Sequence, residues 1–155
     1  TKQLSSRGYD ICVCNSPVMV TVCNLPACRC AITDADAHSD GTEDIITRLG
    51  NRMLHYTPRI TSASTFLNAL PEFVAQFADC GLVLYQAGTD QYIDDPLGAG
   101  TLTSEQMTLR DRIVFSGLRD IGVPFAWNLA GSYQRGRALL DIHDATMIEC
   151  ARAWL

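Results

Sequence analysis

The stretch that decides the fold runs from residue 81 to residue 98 and reads GLVLYQAGTDQYIDDPLG. Its first eight residues, 81–88, are largely apolar, lack the alternation of a half-exposed strand, and have a glycine at each end. This pattern is typical of a strand that is buried on both faces of a parallel sheet. Since the strand leads into Thr89 and Asp90, the sequence predicts a carboxylate at the carboxyl edge of that sheet.

Strand and helix patterns alternate upstream of this segment. The apolar run at 28–33 predicts a short strand. A helix is expected from about Thr42, because apolar residues recur there at helical spacing as far as Met53. A second helix is expected from Ser62 or Ser64, where a period of about 3.6 residues extends across Pro71.

The same alternation continues downstream. Thr103 and Gln106 have the spacing of a capping box, which predicts the start of a helix, and Gly122 marks its end. Residues 123–129 predict another buried strand, and a final helix is expected over 139–154. This order predicts an α/β fold, a mainly parallel sheet flanked by helices, with ligands bound beyond the carboxyl ends of the strands. The chain of 155 residues is expected to form one domain, 1–155.

Charge and hydropathy argue against two classes of partner. Twelve Lys and Arg residues stand against seventeen Asp and Glu, for a formal net charge of −5. That is the wrong sign for binding a phosphate backbone, so no nucleic-acid partner is expected. No apolar run approaches the ~20 residues needed to cross a bilayer, and the first ten residues lack the apolar core of a secretory signal. We therefore expect a cytoplasmic protein without membrane contact.

Seven cysteines are present, an odd number that favours reduced thiols over a disulfide framework. Cys12-x-Cys14 and Cys28-x-Cys30 can each present two sulfurs on one face of a strand, as a thiolate zinc site requires. Their spacing matches no zinc-finger or zinc-ribbon pattern, so we interpret them as small core residues. A redox or structural zinc module is the alternative. The surrounding segment, 11–23, is expected to hold a strand followed by a short helix or an irregular stretch.

The acidic segment after the first predicted parallel strand carries candidate metal ligands. It reads DADAHSDG over residues 34–41. Alternate residues of an extended segment point the same way, so Asp36 and His38 can share one ion. Asp90 follows another parallel strand and is the expected third ligand. Three protein ligands and an open fourth position are typical of catalytic zinc, so we predict one divalent metal, zinc, bound by Asp36, His38 and Asp90.

A simpler interpretation of the same residues is an acidic loop at 34–38 and a turn-capping Asp90. Asp-x-His pairs are common, and a second one, Asp141-x-His143, lies within a predicted helix where the two side chains diverge. The surrounding sequence favours the metal-site interpretation over this simpler one.

Three segments, in this order, resemble signature segments of the histone deacetylase family. They are DADAHSDGTEDII at 34–46, LVLYQAGTDQYIDDPLG at 82–98 and GVPFAWNLAGSYQ at 122–134. The family includes acetylpolyamine amidohydrolases and acetoin-utilisation proteins, and the similarity is greater to its bacterial branch. It extends, with gaps, from about Gly8 to the end of the chain. The resemblance implies an arginase/deacetylase fold and zinc-dependent hydrolysis of an N-acetylated lysine or polyamine.

The resemblance also implies roles for particular residues. Asp36, His38 and Asp90 fall on the family's zinc ligands, in agreement with the ligand chemistry. Asp34 falls on a buried carboxylate beside a monovalent cation such as K⁺. Tyr133 falls on the catalytic tyrosine whose hydroxyl stabilises the oxyanion.

Substrate binding is assigned to residues at both ends of the matched region. Gly8 and Tyr9 resemble the glycine-aromatic pair that lines the acyl-lysine tunnel in the family. Gly131, two residues before the matched tyrosine, is assigned to substrate binding with them.

The chain departs from the family at the general base. In the family this base belongs to a pair of adjacent histidines ahead of the glycine matched by Gly8, whereas the three histidines here, His38, His55 and His143, are not adjacent. The metal loop HSDG is one residue shorter than usual, and Ser132 replaces a glycine before the tyrosine. We therefore expect a shortened family member or a fragment equivalent to the C-terminal half, stabilised by self-association.

Two functions follow from these observations. The first is a zinc-dependent amidohydrolase that removes acetyl groups from N-acetylated lysine or polyamine substrates. The alternative is a non-catalytic metal-binding remnant or interaction protein of the same fold, which has kept the ligands and lost the base.

Overall fold

The computed structural model describes residues 3–6, 9–13, 19–22, 29–35, 53–56, 62–98 and 100–155. Within these residues the chain forms a three-stranded antiparallel sheet, a four-stranded parallel sheet and three helices. The order of the elements after residue 29 confirms the predicted α/β arrangement.

The antiparallel sheet is formed by the amino-terminal part of the chain. Its strands are β1 (Gln3–Ser6), β2 (Tyr9–Val13) and β3 (Met19–Val22), and β2 lies in the middle. Within 11–23, a helix or an irregular stretch was expected to follow the first strand. This expectation is wrong for residues 19–22, which form the strand β3. This segment reads MVTV, which is rich in β-branched residues, and it pairs antiparallel with β2.

The parallel sheet comprises β4 (Cys30–Asp34), β5 (Met53–Tyr56), β6 (Leu82–Gly88) and β7 (Phe125–Ala130), in the order β5-β4-β6-β7. Every neighbouring pair is parallel. In β6, Val83, Tyr85, Gln86, Ala87 and Gly88 are buried, as predicted for a central parallel strand.

Two strand predictions are corrected by this sheet. Met53 was expected to extend the helix beginning near Thr42, but it opens β5, which pairs with β4 so that His55 lies opposite Ile32. Hydrogen bonding to the open edge of β4 outweighs the local helical spacing at this point. The rest of that expected helix, 42–52, lies outside the described residues.

The second correction concerns β7, which was expected to be buried. It occupies one end of the described sheet, and Ala126 and Leu129 are exposed. A run of apolar residues does not distinguish an edge strand from a central one, because both bury at least one face.

Three helices accompany the parallel sheet. They are α1 (Ala63–Ala75), α2 (Ser104–Ile121) and α3 (Arg137–Trp154). The predicted capping box at the start of α2 is confirmed: the Gln106 amide donates to Thr103 Oγ1 over 3.3 Å, and the Thr103 amide donates to Gln106 Oε1 over 2.9 Å. Gly122 ends α2 with a left-handed φ of 71°.

The core lies between the helices and the parallel sheet. It is formed by apolar residues of α1 and α2 packed on β6, among them Phe66, Leu70, Val74, Val114 and Phe115. The two helices are in close contact at Gly117, where an added Cβ atom would lie only 2.8 Å from Val74 Cγ1. Of the helices described, none is both long and apolar enough to cross a bilayer.

Candidate metal centre at the carboxyl edge of the sheet

The carboxyl ends of three parallel strands meet at one edge of the sheet. In register, Asp34 of β4 lies opposite Gln86 of β6, and Gly88 of β6 lies opposite Ala130 of β7. The Ala35 amide continues the ladder by donating to the Gln86 carbonyl over 3.0 Å. The loops that follow β4, β6 and β7 therefore all start at the carboxyl edge of the sheet.

Three of the predicted site residues lie in loops at this edge. Asp90 is fully buried, with 0% of its surface exposed. Gly131 has a φ of 48°, a left-handed conformation that glycine adopts without a steric penalty. Tyr133 is 45% exposed, so its side chain borders solvent. Gly131 thus directly precedes Ser132, which stands where the family resemblance leads one to expect a glycine.

The other predicted site residues are placed only in part. Backbone pairing puts Asp34 at the end of β4 and Tyr9 at the start of β2. Asp36, His38 and Gly8 lie outside the described residues.

The loop after β6, residues 89–98 and 100–102, is held by its own backbone and is called the β6 loop below. The Tyr92 amide donates to the Thr89 carbonyl over 3.1 Å, and the Asp95 amide donates to the Tyr92 carbonyl over 3.0 Å. The ends of the loop are joined because the Leu102 amide donates to the Gln91 carbonyl over 2.9 Å. Asp90 therefore lies in a loop with a defined internal structure.

Close packing around Asp90 depends on Gly98. A Cβ atom at Gly98 would lie 1.6 Å from the Asp90 carbonyl oxygen and 2.5 Å from its carbonyl carbon. Because such distances are impossible, the loop can fold over Asp90 only with a glycine at position 98.

The loop after β7, residues 131–136, is called the β7 loop, and Thr89 connects it to the β6 loop. The Thr89 amide donates to the carbonyls of Ala130 and Gly131, over 2.8 and 3.1 Å. The Thr89 hydroxyl also donates to the Gly131 carbonyl. The residue immediately before Asp90 thus fixes the start of the segment that carries Tyr133.

Asp95 makes a second connection between the two loops. Its Oδ2 accepts a hydrogen bond from the Tyr133 amide over 2.9 Å, and its Oδ1 accepts one from the Leu97 amide over 3.1 Å. Asp95 is buried. Asp95 is not among the site residues predicted from the sequence, although its position before Pro96 in a turn suggests a structural role.

A polar network lies beneath the β6 loop. Arg110 of α2 donates from Nη1 to the Gly88 carbonyl over 2.6 Å and from Nε to Asp111 Oδ1 over 2.7 Å. Asp111 also accepts hydrogen bonds from Tyr85 and from Thr146. All four of these side chains are buried. The last residue of β6 is therefore fixed by a buried guanidinium.

Burial and charge determine the protonation of this network. Burial raises the pKa of Tyr85 well above its ordinary value, so its hydroxyl remains a hydrogen-bond donor. Burial alone would lower the pKa of Arg110, but the adjacent Asp111 carboxylate outweighs it and the pKa is raised. A sequence signal for the network existed: Arg110 and Asp111 interrupt the apolar stripe of α2 between Met107 and Val114.

The two histidines outside the predicted metal loop lie in regular structure. His55 is part of β5. His143 lies in α3, and burial lowers the pKa of its imidazole. Its neighbour Asp141 accepts a hydrogen bond from Arg137 over 2.7 Å, which agrees with setting the Asp141-x-His143 pair aside.

The predicted set of donors has the chemistry that a zinc ion requires. Asp90 supplies a buried carboxylate, and β4 ends beside β6, two residues before Asp36 in the chain. A set of two carboxylates and one imidazole is a normal zinc ligand set. Among the residues that the structure describes, no three His, Cys, Asp or Glu side chains form a metal-binding group; Asp36 and His38 lie outside them, so the triad stays a prediction.

None of Cys30, Cys80 and Cys150 forms a disulfide. Cys30 and Cys80 are buried and Cys150 is half-buried. This agrees with the interpretation of Cys30 as a small core residue. Cys14 and Cys28 lie outside the described residues, so the alternative zinc module remains a hypothesis.

No model of a known protein family matches this chain, and no curated protein matches it either.

Proposed function

We propose that this chain is a zinc-dependent amidohydrolase of the histone deacetylase type, with an arginase/deacetylase-like fold. Its substrates are N-acetylated lysine side chains or acetylated polyamines. The observation that supports this proposal most is the hydrogen bonding between the β6 loop, which buries Asp90, and the β7 loop, which presents Tyr133 to solvent. Hydrolysis of this kind needs a bound metal and an oxyanion donor that both reach the oxygen of the same carbonyl group.

In this proposal Asp36, His38 and Asp90 hold the ion, and Asp34 binds a monovalent cation behind it. Zinc supplies Lewis-acid polarisation of the amide carbonyl and a more acidic attacking water. Tyr133 donates a hydrogen bond to the oxygen on which negative charge develops. Burial of Asp90 keeps bulk water away from its carboxylate, which strengthens the electrostatic interactions around it.

The test is a comparison of Asp90→Asn with Asp94→Asn. Both changes remove one carboxylate charge from the β6 loop, but Asp90 is buried and Asp94 is exposed. We expect Asp90→Asn to weaken zinc binding by at least about 100-fold, since even indirect supports of a ligand are worth 10- to 100-fold. Asp94→Asn should bind zinc as the unchanged protein does. Equal zinc affinity in both variants, measured by calorimetric titration, would contradict the proposal.

A non-catalytic metal-binding protein is the second candidate. The chain has three histidines and no adjacent pair. Loss of a general base lowers a hydrolytic rate by about 10²- to 10⁴-fold. Acetate release from an acetyl-lysine peptide and from acetylputrescine, measured on zinc-loaded protein, separates the candidates. Stoichiometric zinc without acetate release supports this second function.

A further inference from the structure

We propose that Asp95 is the positioning residue for Tyr133: its buried carboxylate fixes the Tyr133 backbone and so sets the place of the phenol relative to Asp90. This inference rests on the proposed function and extends it to a residue that does not touch substrate. It starts from a contrast in burial, because Asp95 is 7% exposed whereas Tyr133 is 45% exposed. The hydrogen bond at the Tyr133 backbone therefore helps to set where the exposed phenol lies.

The anchor is a pair of hydrogen bonds to one carboxylate. Oδ2 of Asp95 accepts from the Tyr133 amide over 2.9 Å, and Oδ1 accepts from the Leu97 amide over 3.1 Å. Bonds from backbone amides to an ionised carboxylate are roughly twice as strong as bonds between neutral groups. With both oxygens engaged, the carboxylate cannot rotate without losing one of the two bonds.

Asp95 is itself fixed to the turn that contains Asp90. Its amide donates to the Tyr92 carbonyl, and the Tyr92 amide donates to the Thr89 carbonyl. Tyr92 also pairs with Leu102 in a β-bridge that closes the loop. A short chain of hydrogen bonds therefore runs from the residue before Asp90, through Asp95, to the Tyr133 amide.

Asparagine cannot replace this carboxylate, although its shape is nearly the same. The side-chain amide offers one acceptor oxygen, and its NH₂ group only donates. In Asp95→Asn, either the Leu97 amide or the Tyr133 amide therefore faces a donor in place of an acceptor. The Leu97 bond lies within the same turn, so the Tyr133 bond, which spans 38 residues, is the one expected to open.

The first experiment measures hydrogen exchange of the Tyr133 amide by NMR in the metal-free protein. We expect the exchange rate to rise at least about tenfold in Asp95→Asn, as loss of a charge-assisted hydrogen bond implies. The matched control, Asp94→Asn, removes an exposed carboxylate one residue away and should leave that rate unchanged. An unchanged Tyr133 rate in Asp95→Asn would overturn the inference.

The second experiment separates positioning from a general structural role. On zinc-loaded protein, Asp95→Asn and Tyr133→Phe should each weaken acetohydroxamate binding about tenfold, and the double variant should be no weaker than either. Zinc affinity of Asp95→Asn should stay within about twofold of the unchanged protein. Additive losses, or a large fall in zinc affinity, would overturn the inference. A chain that binds no zinc would refute the proposed function, while the exchange rates would still decide the role of Asp95.

Discussion

The two loops at the carboxyl edge of the sheet are held in different ways. The β6 loop is braced by its own backbone hydrogen bonds and by Arg110, which bonds to the Gly88 carbonyl at its base. The β7 loop is held from outside, by Thr89 at Gly131 and by Asp95 at Tyr133. One loop has its own structure, and the other takes its position from its neighbour.

This difference indicates how the site is assembled. In the proposed function Asp90 is a metal ligand that needs a rigid support, and the β6 loop provides a fixed position for this buried residue. In the same proposal Tyr133 meets the substrate and needs access to solvent, which its exposed side chain has. Changes that disturb the internal packing or the base of the β6 loop should therefore disturb both loops, whereas changes that remove only a side-chain hydrogen bond from Thr89 or Asp95 to the β7 loop should disturb the β7 loop alone.

The largest effect is expected from removing the base of the β6 loop. Arg110→Met leaves the Asp111 carboxylate buried without its cation and the Gly88 carbonyl without its donor. Breaking a buried ion pair in this way costs about 3–5 kcal/mol of unfolding free energy. Urea unfolding measures the loss. Arg137→Met, which breaks an exposed pair with Asp141, should barely move the unfolding midpoint, and equal shifts in the two variants would contradict the account.

A smaller effect is expected from crowding the β6 loop itself. In Gly98→Ala the new methyl would lie 1.6 Å from the Asp90 carbonyl oxygen, so the backbone at Asp90 must move. Overpacking of this kind costs about 1–3 kcal/mol, and zinc affinity should fall with it.

Gly136→Ala is the control for crowding at position 98. Gly136 has a left-handed φ of 94°, but no atom lies near its missing Cβ. We expect this control to lose some stability and to retain zinc affinity, as measured by calorimetric titration. Loss of zinc affinity in the control alone would show that contact with Asp90 is not what matters.

The smallest effect is expected at the connection between the loops. Thr89→Val removes the hydroxyl that donates to the Gly131 carbonyl, but the Thr89 amide still donates to the same oxygen over 3.1 Å. A loss of about 1 kcal/mol in unfolding free energy is expected from urea titration. Thr108→Val, which removes an exposed bond to the Ser104 carbonyl within α2, should cost less. A larger loss of unfolding free energy in Thr108→Val than in Thr89→Val would argue against a stabilising bond between Thr89 and the β7 loop.

The elements that were predicted correctly are those whose pattern is local. The capping box of α2 and the buried run of β6 are each visible within a few residues. The strand β5 was missed because its formation depends on pairing with β4, about twenty residues earlier in the chain. The exposure of β7 was missed because neighbours in a sheet are not encoded in a strand's own composition.

The same limit applies to the candidate site. Strand ends and residue types were enough to suggest Asp90, whereas Tyr133 was suggested by the family resemblance. The bond between Asp95 and Tyr133 spans 38 residues, so no window of sequence could reveal it. The Arg110 network was detectable in principle, since charged residues on the apolar stripe of a helix require buried partners.

The central claim is that zinc binds at this edge through two carboxylates and an imidazole, and X-ray absorption at the zinc edge tests it most directly. We predict one zinc per chain with only nitrogen and oxygen neighbours, at about 2.0–2.2 Å, and with the scattering of one imidazole. At a zinc concentration that just saturates the unchanged protein, Asp90→Asn should lose most of that signal. Sulfur neighbours at about 2.3 Å would instead place the metal on the cysteines, and either that result or a chain without stoichiometric zinc would contradict the account.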